Sequence, residues 1–421
     1  MRNRVMVLML AAGTLLSART LTVDDLVSIA LRHSPDVALG RYGVEAAKQQ
    51  HRSAAGVRLP QVGLSIHLDR ERDQYRHSPH TTTDTLEGTL SATQLLYDFG
   101  KSAGTIESAA ESVASSRALM QQIVSDKILE VKERYYDALK ALTLIWVYTK
   151  NLHLQEQHLY RAKKYLKAGV KTAVDVSDAR LQLKTARKDL SDGHFLYRMK
   201  RTLLEESLGT IPEGGNYRLY GVAKDPKKWH LPRHEPTLGS LLAFAQKHRP
   251  LLRSLAHDIR SAEATARSKA LHMTPTLELY GEAGAKGADV GTGARSHEKV
   301  GVRMNWNLFS GFKDSADAQV ARIEAMKAQA TRQKARLQIR REVTQAYLNL
   351  KHVRKMFALN MSIVQQAKKK YNQAKKRYRN DLGDYVELQD ARQDYIKALA
   401  DLVNSYYDYF IARAELNHAI G

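Results

Sequence analysis

Glu387 and Asp390 stand three residues apart in a stretch of helical composition, which puts two carboxylates on one face about a turn apart. Acids so placed either draw cations to a surface or are solvated side chains favoured in a helix's first turn by its dipole. Other chemistry-bearing residues lack the company they would need. His153 and His158 are five apart and do not share a helix face, and His77 and His80 fall in a polar stretch, so neither pair has metal-site spacing. Gly287, Gly291 and Gly293 imitate a phosphate loop, but neither Lys-Ser/Thr nor a helix N-terminus follows, and a hairpin loop accounts for them. Asp98-Phe99-Gly100 imitates a kinase tripeptide without a catalytic loop or a glycine-rich strand turn. The chain has no cysteine, which removes disulfides, thiolate metal sites and lipoprotein anchoring. With no nucleophile–base arrangement and no cofactor site, an exported hydrolase has no candidate centre, and the chain is read as a non-enzyme.

The elements that would carry the two acids begin after a leader. Arg2 and Arg4 precede an apolar run from Val5 to Leu16, and Leu16-Ser17-Ala18 offers small residues for cleavage, so residues 1–18 read as a secretory signal peptide. No later run of about 18 apolar residues exists to form a spanning helix. An exported chain of this kind is soluble, secreted or a membrane β-barrel. The formal charge of +22, or +20 without Arg2 and Arg4, suggests nucleic acid at first sight. The basic residues are spread over long helices of an exported chain, so they read as solvated faces and no nucleic-acid partner is expected.

The chain contains itself twice. Leu26, Ala30, His33, Pro35 and Pro60 recur as Leu241, Ala245, His248, Pro250 and Pro275 at an offset of 215. Beyond them the offset is 212: Leu96-Tyr97-Asp98 with Lys101 matches Leu308-Phe309-Ser310 with Lys313, and Asp178-Ala179-Arg180 matches Asp390-Ala391-Arg392. Residues 19–209 form the first copy, 210–235 a Pro/Gly-rich linker, and 236–421 the second copy.

Each copy reads helix, two strands, very long helix, tip, helix. Val62, Leu64, Ile66 and Leu68 alternate with Gly63, Ser65, His67 and Asp69, and a polar loop is expected over Arg70–Asp84. Period two places strands at about 61–69, 86–97, 276–286 and 298–309, each with one apolar and one polar face, as a barrel with a wet lumen requires. Four strands cannot close around a lumen, and open edges are not tolerated in lipid. Three chains of four strands each would close twelve, which implies a trimer once the membrane reading is accepted. Helices are expected over Gly104–Ala168 and Asp314–Asn380, each spanning roughly 95–100 Å. Four shorter helices are expected over Asp24–Gly56, Ala173–Gly209, Pro236–His272 and Tyr385–His418. Two short helices end to end match one long one, as the wall of a hollow helical cylinder would need. The tips fall at 167–174 and 379–384.

The chain resembles the TolC family of outer-membrane efflux proteins over essentially its whole mature length. The resemblance rests on the duplicated unit, the Leu-(Tyr/Phe)-(Asp/Ser)-x-x-Lys junctions, and Ala168-Gly169-Val170 followed by Asp175-Val176 and Ala179-Arg180. It implies a mainly α fold with a membrane β-barrel: a homotrimer whose twelve-stranded barrel meets outer-membrane lipid above a long periplasmic helical barrel. It also implies passive conduction of drugs, metals or proteins, with a periplasmic adaptor and an inner-membrane transporter docking at the tips around Gly169, Val170, Leu382 and Gly383. The linker corresponds to an equatorial belt. By the same resemblance Glu387 and Asp390 line the periplasmic aperture, Glu387 replacing the more usual aspartate. Asp175 and Tyr378 match residues that link the tips shut. Gly383 stands where the family carries a gate arginine, and Arg379 and Lys171 are the candidates to replace it. The competing reading is an exported coiled-coil structural protein, which leaves the four two-faced strands without purpose.

Overall fold

The computed structural model describes residues 19–73, 81–170, 172–222, 225, 229–232, 236–287, 295–380 and 382–421. The leader, His77, His80, Lys171, Gly291 and Gly293 lie outside them. The chain runs β1 (Arg19–Leu21), α1 (Val23–His33), α2 (Pro35–Gly56), β2 (Gln61–Asp73), β3 (Thr81–Tyr97), α3 (Lys101–Lys167) and α4 (Ala173–Leu208). A 3₁₀ turn (Pro212–Gly215) and β4 (Tyr217–Leu219) lead to α5 (Leu238–His248), α6 (Pro250–Ala270), β5 (Thr276–Gly287), β6 (Arg295–Asn305), α7 (Lys313–Arg379) and α8 (Tyr385–Ile420).

Two of the expected short helices are each broken in two. Ser34 and Arg249 are extended, with ψ of 128° and 120°, because each precedes a proline. Pro35 and Pro250 then open the next helix, where a missing N–H costs nothing. The prolines that marked the duplication therefore also end α1 and α5.

The junction motif has a mechanical meaning. The Asp98 carboxylate accepts from the Gly100 N–H at 3.1 Å and the Ser102 N–H at 2.6 Å, capping α3. Ser310 does the same for α7, its hydroxyl accepting from the Asp314 N–H at 3.3 Å. Phe99 and Gly100 in the first junction, and Gly311 and Phe312 in the second, have positive φ, so the chain reverses by the same route twice.

The structure divides into two compact units, each drawing segments from both copies. The first holds the described residues of Met1–Val37 together with Val124–Leu238 and Thr344–Ala419. Its core gathers Leu26, Val131, Tyr135, Leu204, Leu399, Leu402 and Tyr407. The linker here is more than a connection. β4 pairs in parallel with β1, matching Leu21 to Leu219, and Trp229 is buried with its ring stacked 4.8 Å from Tyr406.

The second unit, Ala38–Ile123, Gly239–Val343 and Ile420–Gly421, holds a four-stranded antiparallel sheet of order β2-β3-β5-β6. The polar loop expected over Arg70–Asp84 is corrected at its two ends, where 70–73 and 81–84 are strand; 74–80 lie outside the described residues. Arg70 pairs with Asp84 in the ladder, with bidentate side-chain bonds of 2.6 and 2.8 Å, so charge pairing extends the hairpin where apolar alternation stops. The strand expected to reach 309 ends at Asn305, where the Trp306 indole donates to the Met273 carbonyl at 2.9 Å and the chain leaves the ladder. One sheet face exposes Val62, Leu64, Ile66, Leu68, Leu90, Val300, Val302 and Met304. The other carries Ser65, His67, Ser91, Glu282, Lys299 and Arg303, as the register dictates. No helix among the described residues is long and apolar enough to cross a membrane.

Candidate functional site

The two helix reversals of the first unit, α3 to α4 and α7 to α8, carry the residues singled out from the sequence. α3 ends in a left-handed turn at Gly169, φ 72°, where no side chain would strain the backbone less. The Gly169 N–H donates to the Leu166 carbonyl at 3.1 Å and the Val170 N–H to the Tyr165 carbonyl at 2.9 Å. At the second reversal the Leu382 N–H donates to the Arg377 carbonyl at 2.9 Å, the same bond 212 residues on. Val170 and Leu382 consequently project as exposed apolar side chains, at 54% and 70%.

α4 starts with a reciprocal cap. The Thr172 N–H and hydroxyl donate to Asp175 Oδ2 at 2.8 and 2.9 Å, and the Asp175 N–H returns a bond to the Thr172 hydroxyl. Asp175 therefore orders its own helix start, whatever else its charge does. α8 starts with Asp384, whose carboxylate accepts from the Glu387 N–H at 2.7 Å.

The two acids differ in situation. Asp390 is exposed, whereas Glu387 is half-buried and ion-paired to Arg377 at 3.4 Å. Gly383 explains how. A Cβ at that position would lie 2.9 Å from Glu387 Oε2 and 3.1 Å from Arg377 Cβ, so the bare backbone lets this pair form across the turn. The guanidinium at this turn thus comes from Arg377, which the sequence reading overlooked. Arg379 is exposed on the last turn of α7, and Lys171 is outside the described residues.

Tyr378 points inward. It is buried beside His158 and Tyr385, 6.3 Å from each ring, and the His158 ring stacks on Tyr385 at 4.6 Å and 6°. Arg392, 3% exposed, reaches into the same region, donating to Gln155 Oε1 at 2.5 Å and Gln389 Oε1 at 3.2 Å. Tyr371 and Tyr395, stacked at 5.8 Å, continue the cluster, and the Lys150 ammonium donates to the Tyr395 hydroxyl at 3.1 Å. Burial pushes the His158 pKa down to about 4, Arg392 and Arg161 add to the shift, and Asp175 opposes it. Burial likewise lowers the Arg392 pKa against the pull of Tyr371 and Tyr385. No spacing rule exposes this knot, because its members are shared among three helices, of which α3 is distant in sequence from α7 and α8.

Among the described residues no cluster of three or more His, Cys, Asp or Glu side chains is arranged to hold a metal ion. An open groove between α7 and α8, about 710 Å³, is lined by Gln366, Lys369, Lys370, Asp394 and Lys397, with Lys370 and Asp394 bridged at 2.7 Å.

The profile of the family described as "Outer membrane efflux protein" matches residues 26–210 and 241–421. Protein CyaE of Bordetella pertussis is 23% identical over 387 residues, covering 89% of this chain and 80% of its own. The outer membrane efflux protein BepC of Brucella suis is 20% identical, covering 98% and 90%. The crystal structure of the outer membrane protein VceC from Vibrio cholerae shares the fold with a TM-score of 0.79 at 18% identity, over 95% of this chain and 96% of that one.

Proposed function

This chain belongs to the outer membrane efflux protein family, and from that membership we propose how its residues make a conduit. It is an outer-membrane efflux channel with a helical periplasmic part, of the kind that works with an adaptor and an inner-membrane transporter. Its family and fold are those of channel proteins.

The observation that carries the finer reading is the sheet. It has an apolar face, a polar face, and two open edges, β2 and β6. Backbone groups on such edges are costly in lipid unless another strand takes them up. A homotrimer meets that demand, the β6 of one chain pairing with the β2 of the next around a polar lumen within outer-membrane lipid. α7 supports the same assembly: Met326, Leu337, Leu348 and Leu359 recur every eleven residues and stand exposed. Eleven residues are close to three turns, so these four apolar side chains fall on one side of α7, where a neighbouring helix would cover them.

At the inner end, threefold repetition would set Glu387 and Asp390 as two stacked carboxylate rings, with Asp175, Tyr378 and Arg379 or Lys171 as the gate links. The tip residues Gly169, Val170, Leu382 and Gly383, with the polar groove between α7 and α8, are the surface offered to the periplasmic adaptor. Substrate moves passively, driven by the inner-membrane partner.

Conductance of the purified chain in planar bilayers tests this. A cation-selective pore is expected, and Asp390→Asn should reduce the selectivity more than Glu387→Gln, because Arg377 already offsets Glu387. Absence of any conductance from a folded, detergent-extracted trimer would sink the reading.

A further inference from the structure

His158 of α3 meets the second reversal through its ring. Its side chain is 5% exposed, and its Nε2 is buried without a hydrogen-bond partner. The ring lies flat on Tyr385, in the first turn of α8, and beside Tyr378, in the last turn of α7. One imidazole thereby touches both sides of the α7–α8 turn.

Its charged surroundings come from each element packed on it. α8 contributes Arg392, whose hydrogen-bond partners are the amide oxygens of Gln155 and Gln389 and the Tyr371 side chain, none of which carries a neutralising charge. α3 itself adds Arg161, and α4 adds Asp175, the acid that acts on the imidazole. From α7 come the Tyr371 and Tyr378 phenols, and Asp178 of α4 acts on Tyr385. A second cation placed beside Arg392 in this dry site meets repulsion that little solvent screens.

We propose that His158 is a proton-responsive latch: neutral, it packs the α7–α8 turn against α3, and protonated, it lets that turn go, so acid on the periplasmic side loosens the inner end of the channel. The latch rests on the channel reading above. The sign follows from linkage. The closed knot holds its proton only below about 4, whereas a loosened, solvated His158 takes one up near the ordinary 6.5. Between those values the closed form binds fewer protons, so its stability is full above 6.5 and is lost as pH falls toward 4. The closed-to-loosened ratio of one protomer can fall by up to about 300-fold across that window.

The test compares wild type with His158→Gln and His158→Phe in planar bilayers, acidifying only the side that faces the helical tips. Wild-type conductance is expected to step up as pH falls below 6.5, and the step should vanish in both variants. His158→Phe keeps an aromatic ring for the Tyr385 stack, so it guards against a merely structural loss. Arg392→Met should shrink the step by removing the cation that repels the protonated ring. Carboxylate titration is common to wild type and variants, so the difference isolates the imidazole. A step of equal size and midpoint in both His158 variants, or a wild-type conductance that falls with acid, overturns the latch. If the wild type conducts at no pH, the channel reading fails instead. The latch is then judged by hydrogen exchange of the 377–380 and 382–385 amides, which should speed up in acid beyond the intrinsic pH effect in wild type and not in the variants.

Discussion

Asp175 has two roles at the first reversal that substitution can separate. Its carboxylate closes the capping box with Thr172, and its charge acts on His158 and Tyr385. Asp175→Ala removes both, so it should cost about 1 kcal/mol of helix-start stability and raise channel conductance. Thr172→Ala removes the capping hydroxyl and leaves the acid. Equal conductance gains from the two variants would show that tip order, and not the Asp175 charge, holds the channel narrow. At this scale the sequence was partly legible. Glu387 and Asp390 announce themselves by spacing, but the Arg377 partner of Glu387 lies across a turn whose shape depends on Gly383 lacking a Cβ. His158 and Arg392 carry no periodic signal, since a single polar residue on a helix looks the same whether it is solvated or buried.

The elements owe their ends to local chemistry and their closeness to small residues. Helix lengths and strand alternation were readable because periods of 3.6 and 2 persist over many residues. The breaks at Ser34 and Arg249 were readable in principle, since each precedes a proline, but the apolar pattern continues through both and hides them. The outer part of the β2–β3 hairpin was not readable from hydropathy, because Arg70 and Asp84 stabilise it through charge. Close approach of α3 to α6 was equally hidden. Gly104 makes room for it: a Cβ there would lie 2.8 Å from Ser268 Cβ and 3.0 Å from the Ala264 carbonyl oxygen. The same interface is laced by hydroxyls, Ser108 meeting Ser261 at 2.9 Å and Ser115 meeting Ser254 at 2.8 Å. Gly43 in α2 has nothing within 4 Å of its missing Cβ. Gly43→Ala should therefore stabilise by up to about 1 kcal/mol through helix propensity. Gly104→Ala should destabilise by about 1–3 kcal/mol by overpacking, so the two alanines move the thermal midpoint in opposite directions. A rise in the midpoint for both would show that α3 and α6 are not held so close.

At the scale of the whole molecule, one chain supplies two hairpins and two helix reversals, and the proposed trimer would take up its two open edges. The polar-face charges of those edges are opposite in sign. On β6 they are Arg295, Lys299 and Arg303, and on β2 they are Asp69 and Glu71. β2 runs toward, and β6 away from, the same end of the sheet, so an antiparallel seam between neighbouring copies brings Arg295 and Lys299 to the end that carries Asp69 and Glu71. Opposite charges on facing strands favour pairing and like charges oppose it, each by roughly 0.2–1 kcal/mol, and the proposed trimer has three such seams. Arg295→Glu with Lys299→Glu is therefore expected to lower the temperature at which the detergent-solubilised trimer dissociates. Adding Asp69→Lys and Glu71→Lys should restore much of the loss, because the seam again joins unlike charges. Strand pairing within one chain provides the control. Lys286 and Glu87 meet at 3.7 Å inside the sheet, and reversing both should leave the dissociation temperature near that of wild type. If the four-residue swap fails to recover what the two-residue change removed, the seam is not set by these charges, and β6 does not pair with β2 of the next copy in this sense.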